Sequence, residues 1–475
     1  MAPAVRALAR VRPLRRALRA VAERRMRAAA AGVVRPRHPR AVESDKLAMR
    51  LAVLDTIEAV LAENRLSDAS LRGLLGLLLH DVLLKKAGRG AKQAFRAVHG
   101  CAPPDFLVIS PGKACNLRCV GCYANAGPAG EKLGFDELDR IVTEAHELWG
   151  VRFFVISGGE PLVYRDRGLG VLDLAERHRD CFFVMYSNAT LIDDAVAERL
   201  GRLGNLSPAV SVEGLRERTD ARRGGGTFDS VLGAIARLRR AGVVFGVSLT
   251  ATRDNAEEVL GDAVTDLFFD RLGASYGWVF HYMPIGRSSS LSLMPTPEQR
   301  LRLWRRVWTL VRERRLFIAD FWASGTATNG CIAAGRPGGY LYVNWDGAVS
   351  PCVFAPYSPV RVQQAWARGG TLDDVWAEPF FAGIRAWQRA YGYREEGETG
   401  AGCGNWIRPC LVRDHHAEFR GLVDEFGPRP IDEAAGAALL DPAYQAGMER
   451  FGEDLAALAD PLWEELYADR AGGGR

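Results

Sequence analysis

From residue 106 onward, short apolar runs recur at intervals long enough to hold a helix: "FLVIS", "FFVIS", "FFVMYS", "PAVSVE", "VVFGVSLT" and "GWVFHYM". Runs of this length, rich in Val, Phe and Tyr, read as buried strands, and their alternation with helical segments is the pattern of a parallel sheet with right-handed crossovers. Six such units without a seventh or eighth predict an α/β fold, a partial (β/α)6 TIM-like barrel over residues 101–295. Before it, residues 46–100 repeat apolar positions at helical spacing, with Ser67 and Ser70 as capping residues and no strand signal. After it, "SSSLSLMPTP" at 288–297 has loop composition, "EQRLRLWRRVWTLVRERR" reads as a helix, and "YLYVNWDGAVSPC" as a hairpin turning at Asp346 and Gly347. These begin a small, separate β-hairpin/α module over residues 296–430, and residues 431–475 read as surface helices ending in a disordered "AGGGR".

Charge changes the picture only at the N-terminus. The 475-residue chain carries +5, but residues 1–40 hold twelve arginines against Glu23 alone, a local charge of +11, so the remainder is −6. Within this leader, residues 1–45, Val5, Leu8, Val11, Leu14, Leu18 and Val21 recur three or four apart between arginines. Such a basic amphipathic helix suits an anionic membrane surface or a nucleic acid, while a disordered leader or an organellar presequence would have similar composition. No apolar run reaches the roughly 20 residues that span a bilayer. The nearest, "LLGLLLHDVLL" at 74–84, is broken by His80 and Asp81 and reads as a buried or interfacial helix. Without a secretory signal, nine cysteines, an odd number, argue for reduced thiols used as ligands or nucleophiles and for a cytoplasmic protein, peripheral to a membrane if the leader helix docks there.

Three of the nine lie in "CNLRCVGC": Cys115, Cys119 and Cys122, directly after the first predicted strand, where parallel α/β folds place their chemistry. A structural zinc site wants four closed ligands, so three thiolates leave a vacancy. A four-iron, four-sulfur cluster on three cysteines keeps one iron open to a substrate or cofactor. The spacing C-x3-C-x2-C resembles the signature of the radical S-adenosylmethionine (SAM) superfamily, and the resemblance continues. "SGGEP" at 157–161 is similar to the segment that binds the methionine ammonium, with Gly158 and Gly159 allowing close backbone approach and Glu160 supplying the carboxylate. "SNATLI" at 187–192, with Ser187 and Asn188, and "VSVEG", with Glu213, resemble later SAM-contacting segments, and Arg223 fits the arginine that reaches the SAM carboxylate. Strand-end capping for the first three, and a surface ion pair for Arg223, are the plainer readings of the same residues. The residue before the third cysteine, often aromatic in the family, is Gly121 here, which leaves Tyr123 as the candidate adenine contact.

In the C-terminal module Cys331, Cys352, Cys403 and Cys410 resemble the ligands of SPASM and twitch modules, with C-x15-G-x4-C from Cys331 through Gly347 to Cys352. The resemblance implies one fully ligated auxiliary 4Fe-4S cluster, which moves electrons or holds shape; a structural zinc on the same four thiolates is the competing reading. Asp414, His415 and His416 could donate a proton or ligate, but packed histidines are commoner, and Cys101 and Cys181 read as small buried residues without ligand partners.

The resemblance implies reductive cleavage of SAM to a 5′-deoxyadenosyl radical that abstracts hydrogen from a C–H bond, with an electron donor such as flavodoxin or ferredoxin as partner. Peptide and lipid substrates are both open. Peptide maturases of this architecture often carry an N-terminal domain mixing strands with helices, whereas this N-terminus reads as helical beside a basic tail, which suits a lipid and C–C bond formation on its chain. A non-catalytic iron–sulfur or zinc binding protein is the alternative class. Nucleic acid is not expected as a partner, because no basic patch interleaved with aromatics is evident.

Overall fold

The computed structural model describes residues 11–32, 38–76, 88–395 and 402–467. All six expected strands form: β1 (Phe106–Ile109), β2 (Phe153–Ile156), β3 (Phe182–Ser187), β4 (Leu206–Val212), β5 (Gly246–Ala251) and β6 (Gly277–His281). Each pairs in parallel with the next, in registers such as Phe106 with Phe153 and Val247 with Gly277. Both faces are covered, so these strands are apolar almost throughout rather than alternating.

The sheet does not stop at residue 295. A three-residue strand, β7 (Ile318–Asp320), adds in parallel to β6, and β8 (Tyr340–Val343) adds in parallel to the other edge, against β1. β8 turns at Asp346–Gly347 into β9 (Ala348–Ser350), which pairs antiparallel with it, and after β10 (Tyr357–Ser358) the edge is completed by β11 (Val360–Arg361). The hairpin expected in a separate module is therefore an edge of the barrel sheet. β7 was hidden because three residues inside "LFIADFW" give no period. β7 and β11 remain as the two edges, so the barrel is open, and β10 pairs apart from it with β12 (Arg429–Pro430).

The N-terminal region is helical as expected, with helices Arg40–Glu63, Asp68–Gly76 and Arg89–His99. Ser67 Oγ accepts from the Ser70 N–H at 2.9 Å and caps the second. Residues 77–84 of the apolar run, Val5 and Leu8 of the leader, and the final "AGGGR" lie outside the described residues. The described part of the leader, Arg12–Ala31, is helical rather than disordered. It lies on the helix Arg40–Glu63 through Arg15 to Glu58 (3.0 Å) and Arg19 to Asp55, with these two arginines turned inward. The C-terminal helix Pro442–Leu466 is less superficial than expected: Met448, Leu455, Ala459 and Trp463 are buried, against the helix Pro297–Arg312 among others.

These outer elements meet at Asp45, which is 1% exposed and accepts from Tyr467 Oη and Thr326 Oγ1, both at 2.7 Å, and from Arg312. Asp45→Ala would leave two buried hydroxyls unpaired and remove the partner of the half-exposed Arg312. We expect it to lower stability by about 3 kcal/mol, read as a shifted urea midpoint with an unchanged slope.

Candidate active site on the cysteine loop

Cys115, Cys119 and Cys122 occupy the long connection from β1 to the helix Phe135–Trp149. Their loop is held from several sides. The Val120 N–H donates to Arg222 O (3.0 Å), the Arg287 N–H donates to Cys122 O (3.0 Å), and the Arg287 guanidinium reaches Cys119 O and Ala126 O. Arg287 was not visible as a site residue from the sequence, because it sits in the loop-like stretch after β6 without a motif. Gly121 adopts φ 62°, and a Cβ there would lie 2.5 Å from the Tyr282 ring. The Tyr282 ring thus leaves no room for a side chain at position 121 and enforces glycine.

The segment after β2 lies directly on this loop. Gly159 donates to Gly112 O and Glu160 to Ala114 O, both at 2.9 Å. A side chain at Gly159 would collide with the Ala114 carbonyl, and a Cβ at Gly158 (φ 112°) would lie 2.6 Å from Gly112 O. Glu160 is 2% exposed. Its carboxylate accepts from the Leu162 N–H (3.1 Å), Ser187 Oγ (2.8 Å) and the Asn188 N–H (2.8 Å). Burial pushes its pKa up, and these donors with Arg223 pull it back. Tyr123 is anchored here too, accepting from the Gly158 N–H at 3.0 Å with its hydroxyl 2.7 Å from Ser157 Oγ.

From β4, Glu213 is fully buried and binds Arg222 Nη1 (2.6 Å) and Arg223 Nε (2.7 Å). The two arginines line the cavity, whereas Glu213 does not. The expected surface ion pair is therefore a buried one, Arg222 joins Arg223 at the cavity wall, and Glu213 positions both. Ser187 likewise acts behind Glu160, while Asn188 lines the cavity and turns its Nδ2 toward Cys115 Sγ (3.8 Å). One cavity of about 440 Å3 collects the three cysteines, Tyr123, Gly158–Glu160, Asn188 and the arginine pair.

The same cavity reaches a buried polar group that the sequence did not suggest. His281 Nε2 is 3.0 Å from Asp320 Oδ2, His281 Nδ1 is 3.1 Å from Arg413 Nη1, and the ring stacks on Trp322. Burial lowers His281 to about 4, so the ring is neutral, donating to Asp320 and accepting from Arg413. Burial opposes ionisation of Asp320, but His281, Arg300 and the Ala323 N–H outweigh it and hold the carboxylate at about 2. A free histidine titrates near 6.5, so the unfolded chain binds more protons between that value and 4. Stability should fall as pH drops through this window, by on the order of 3 kcal/mol. Urea unfolding at neutral pH and at the acid end should show a smaller loss for His281→Gln than for the parent.

A family model for the radical SAM superfamily matches residues 109–262, the span from β1 past β5. Residues 109–262 are a radical SAM domain. The chain is 32% identical to the AdoMet-dependent heme synthase of Methanosarcina barkeri, over 42% of this chain and 57% of that one, so it spans little more than half of that relative. It is 29% identical to the mycofactocin maturase of Mycobacterium ulcerans, over 62% of this chain and 80% of the relative. The crystal structure of Streptococcus suis SuiB bound to SAM superposes with a TM-score of 0.51 at 19% identity, over 67% and 75% of the two chains, a likeness of fold.

Radical SAM proteins use a SAM-binding 4Fe-4S cluster, and the residues here fit it. Cys115, Cys119 and Cys122 line one cavity, and burial raises Cys115 to about 11. In the C-terminal module Cys331, Cys352 and Cys410 line one small cavity of about 40 Å3. Cys403 is outside that lining, next to Gly392, so three of the four expected ligands converge. Burial, then the neighbouring thiols, raises Cys352, and burial pushes Cys410 up to about 12. Around them Arg300 and Arg413 are fully buried, yet Arg300 Nε and Nη1 and Arg413 Nη2 have no partner. Buried cations beside neutral thiols call for an anion, and a thiolate-bound cluster is one. A single zinc would draw its sulfurs to about 3.8 Å from one another. Among the described residues only His146, Asp180 and Cys181 bring ligand atoms within 4.8 Å of one another, so no three of these thiols are gathered for one ion.

The remaining expectations resolve into packing. His415 Nε2 meets Arg408 O, His416 Nδ1 meets Val412 O, and Asp414 pairs with Arg413. Cys101 and Cys181 are buried as expected, although Cys181 does have near partners in His146 and Asp180.

Proposed function

We propose that this protein is a radical SAM enzyme that cleaves SAM reductively and removes hydrogen from a C–H bond of a substrate held inside the barrel. The observation that carries the reading is the single cavity shared by Cys115, Cys119, Cys122, Glu160 and the Arg222–Arg223 pair. When bound, the cluster and SAM supply one-electron cleavage and a carbon-centred radical, chemistry no side chain performs. The chain's own residues bind and aim. Cys115, Cys119 and Cys122 would ligate the cluster, and the Glu160 carboxylate, already fixed by three donors, has acceptor capacity left for the SAM ammonium. Arg222 and Arg223, on the cavity wall, would meet its carboxylate, and Tyr123 and Asn188, on the same wall, would meet the adenosine. Aromatic walls exclude water from the reacting atoms.

Cys331, Cys352 and Cys410, with Cys403 as the expected fourth ligand, would hold an auxiliary cluster, and a flavodoxin or ferredoxin would deliver the electron. A cytoplasmic location suits reduced thiols, and among the described residues no helix is long and apolar enough to cross a membrane. Peptide modification draws support from the relatives named as maturases, and a lipid substrate from the apolar barrel interior. The non-catalytic alternative would have no use for so fully bonded a Glu160.

Anaerobic iron and sulfide analysis with a dithionite-driven assay for 5′-deoxyadenosine tests this. About eight irons per chain, two four-iron clusters, with 5′-deoxyadenosine formed is the expected result. Zinc in place of iron, or iron without 5′-deoxyadenosine, would overturn it.

A further inference from the structure

The cavity does not end at the cysteine loop. Its wall runs down the inside of the barrel through Val108, Val155 and Phe280 to Phe106, Phe153, Trp278 and Phe317, at the N-terminal ends of the strands. Met49 of the helix Arg40–Glu63 joins it there. The charged groups Glu160, Arg222, Arg223 and Asp320, with the neutral His281, belong to the upper end, and this lower wall carries no charge. Trp278 Nε1 in this wall is buried without a partner.

A second cleft, of about 880 Å3, lies under the barrel between the leader helix and the loops preceding β6 and β7. Seven arginines line it against four carboxylates, and Arg12, Arg15, Arg16 and Arg19 all come from the leader helix. Three of its donors are buried with no partner: Arg65 Nη1, Arg315 Nη1 and Ser275 Oγ, the last on a residue only 7% exposed. Unpaired buried donors are costly, and three in one basic cleft fit an oxyanion. Phe317 lines both this cleft and the barrel lumen, so an anion site and an apolar channel share one wall. Another face of the leader helix carries Leu14, Leu18 and Val21, exposed by 36%, 57% and 51%, with Arg25 in line. A helix with arginines around an exposed apolar stripe lies well on an anionic bilayer.

We propose that the basic cleft and the lumen together bind an anionic phospholipid: the phosphate sits on Arg65, Arg315 and Ser275, and one acyl chain passes Phe317 into the barrel toward the cysteine loop. Trp278 Nε1 is the donor available to the ester oxygen of that chain. The leader helix, on the bilayer by its apolar stripe, brings the cleft to the headgroups. As a statement about substrate this rests on the radical reading above; as a statement about binding it does not.

The test is fluorescence quenching in the full-length, cluster-loaded protein by phosphatidylglycerol vesicles brominated on the acyl chains, compared with phosphatidylcholine vesicles and with inorganic phosphate alone. Phosphatidylglycerol should quench a component that Trp278→Phe lacks, phosphatidylcholine should not, and Arg65→Gln with Arg315→Gln should weaken binding about tenfold or more. Quenching identical in the parent and in Trp278→Phe would place the lipid on the outer surface only and overturn the proposal. Equal quenching by both lipids would overturn the anion site. Phosphate binding by calorimetry without any lipid quenching would make the cleft a free-phosphate site, again against the proposal. Should Trp278→Phe fold poorly, Trp278→Tyr serves the same comparison, and bromines placed at two depths of the chain should quench Trp278 unequally. Iron content and 5′-deoxyadenosine from the same preparations show separately whether the radical reading stands.

Discussion

Replacing Cys115, Cys119 and Cys122 together with alanine will abolish SAM cleavage while the C-terminal thiols keep their iron. The three thiols share a cavity with Glu160, whereas Cys331, Cys352 and Cys410 line another, so the two sets should load independently. Iron should fall from about eight to about four atoms per chain. The loop itself should survive the change, because its shape is held by backbone contacts to Arg222 and Arg287 and by the Gly159 and Glu160 bonds to Gly112 and Ala114, none of which uses a sulfur. SAM cleavage persisting in this variant would remove the cysteine loop from the chemistry, and loss of all iron would show that the two sets are coupled.

The difference between what could and could not be read in advance follows the range of the interactions. Buried parallel strands are contiguous apolar runs, so β1 to β6 stood out, and the cysteine, glycine and glutamate positions are local motifs tied to strand ends. β7 and the pairing of β8 with β1 are tertiary facts: the first is three residues long, and the second joins Phe106 to Tyr340. The site divides in the same way. Ser187, Glu213 and Arg223 could be named, but not that Ser187 and Glu213 stand behind the wall while Arg222 and Arg223 form it. Arg287 and the His281–Asp320–Arg413 group had no local signature at all, since they assemble from β6, β7 and a helix after Cys410. The leader was legible as amphipathic, yet Arg15 and Arg19 face carboxylates of the next helix while Leu14 and Leu18 face out, an orientation only the partner helix decides.

Glu213→Gln should be the most damaging single substitution near the site that touches no ligand. Glu213 has no exposure and its Oε1 neutralises both Arg222 and Arg223, whose side chains are 14% and 11% exposed. Glutamine keeps the shape but removes the charge, leaving two guanidinium groups facing each other in a poorly solvated wall. Breaking a buried pair on one side costs about 3–5 kcal/mol, and here one carboxylate serves two cations. We expect a urea midpoint lowered accordingly in the iron-free protein, with SAM binding weakened because the arginines no longer hold their positions. Adding Arg222→Leu to Glu213→Gln should recover part of the stability, since one of the two uncompensated charges goes with it. Loading the cysteine loop should recover another part: Arg223 is raised by the field of Cys119 and Cys122 as well as by Glu213, so ionised thiols supply some of the charge that glutamine lacks. The penalty should therefore be smaller with iron than without it. An equal penalty in the two states would mean that the arginines answer to Glu213 alone and are electrically separate from the cysteine loop.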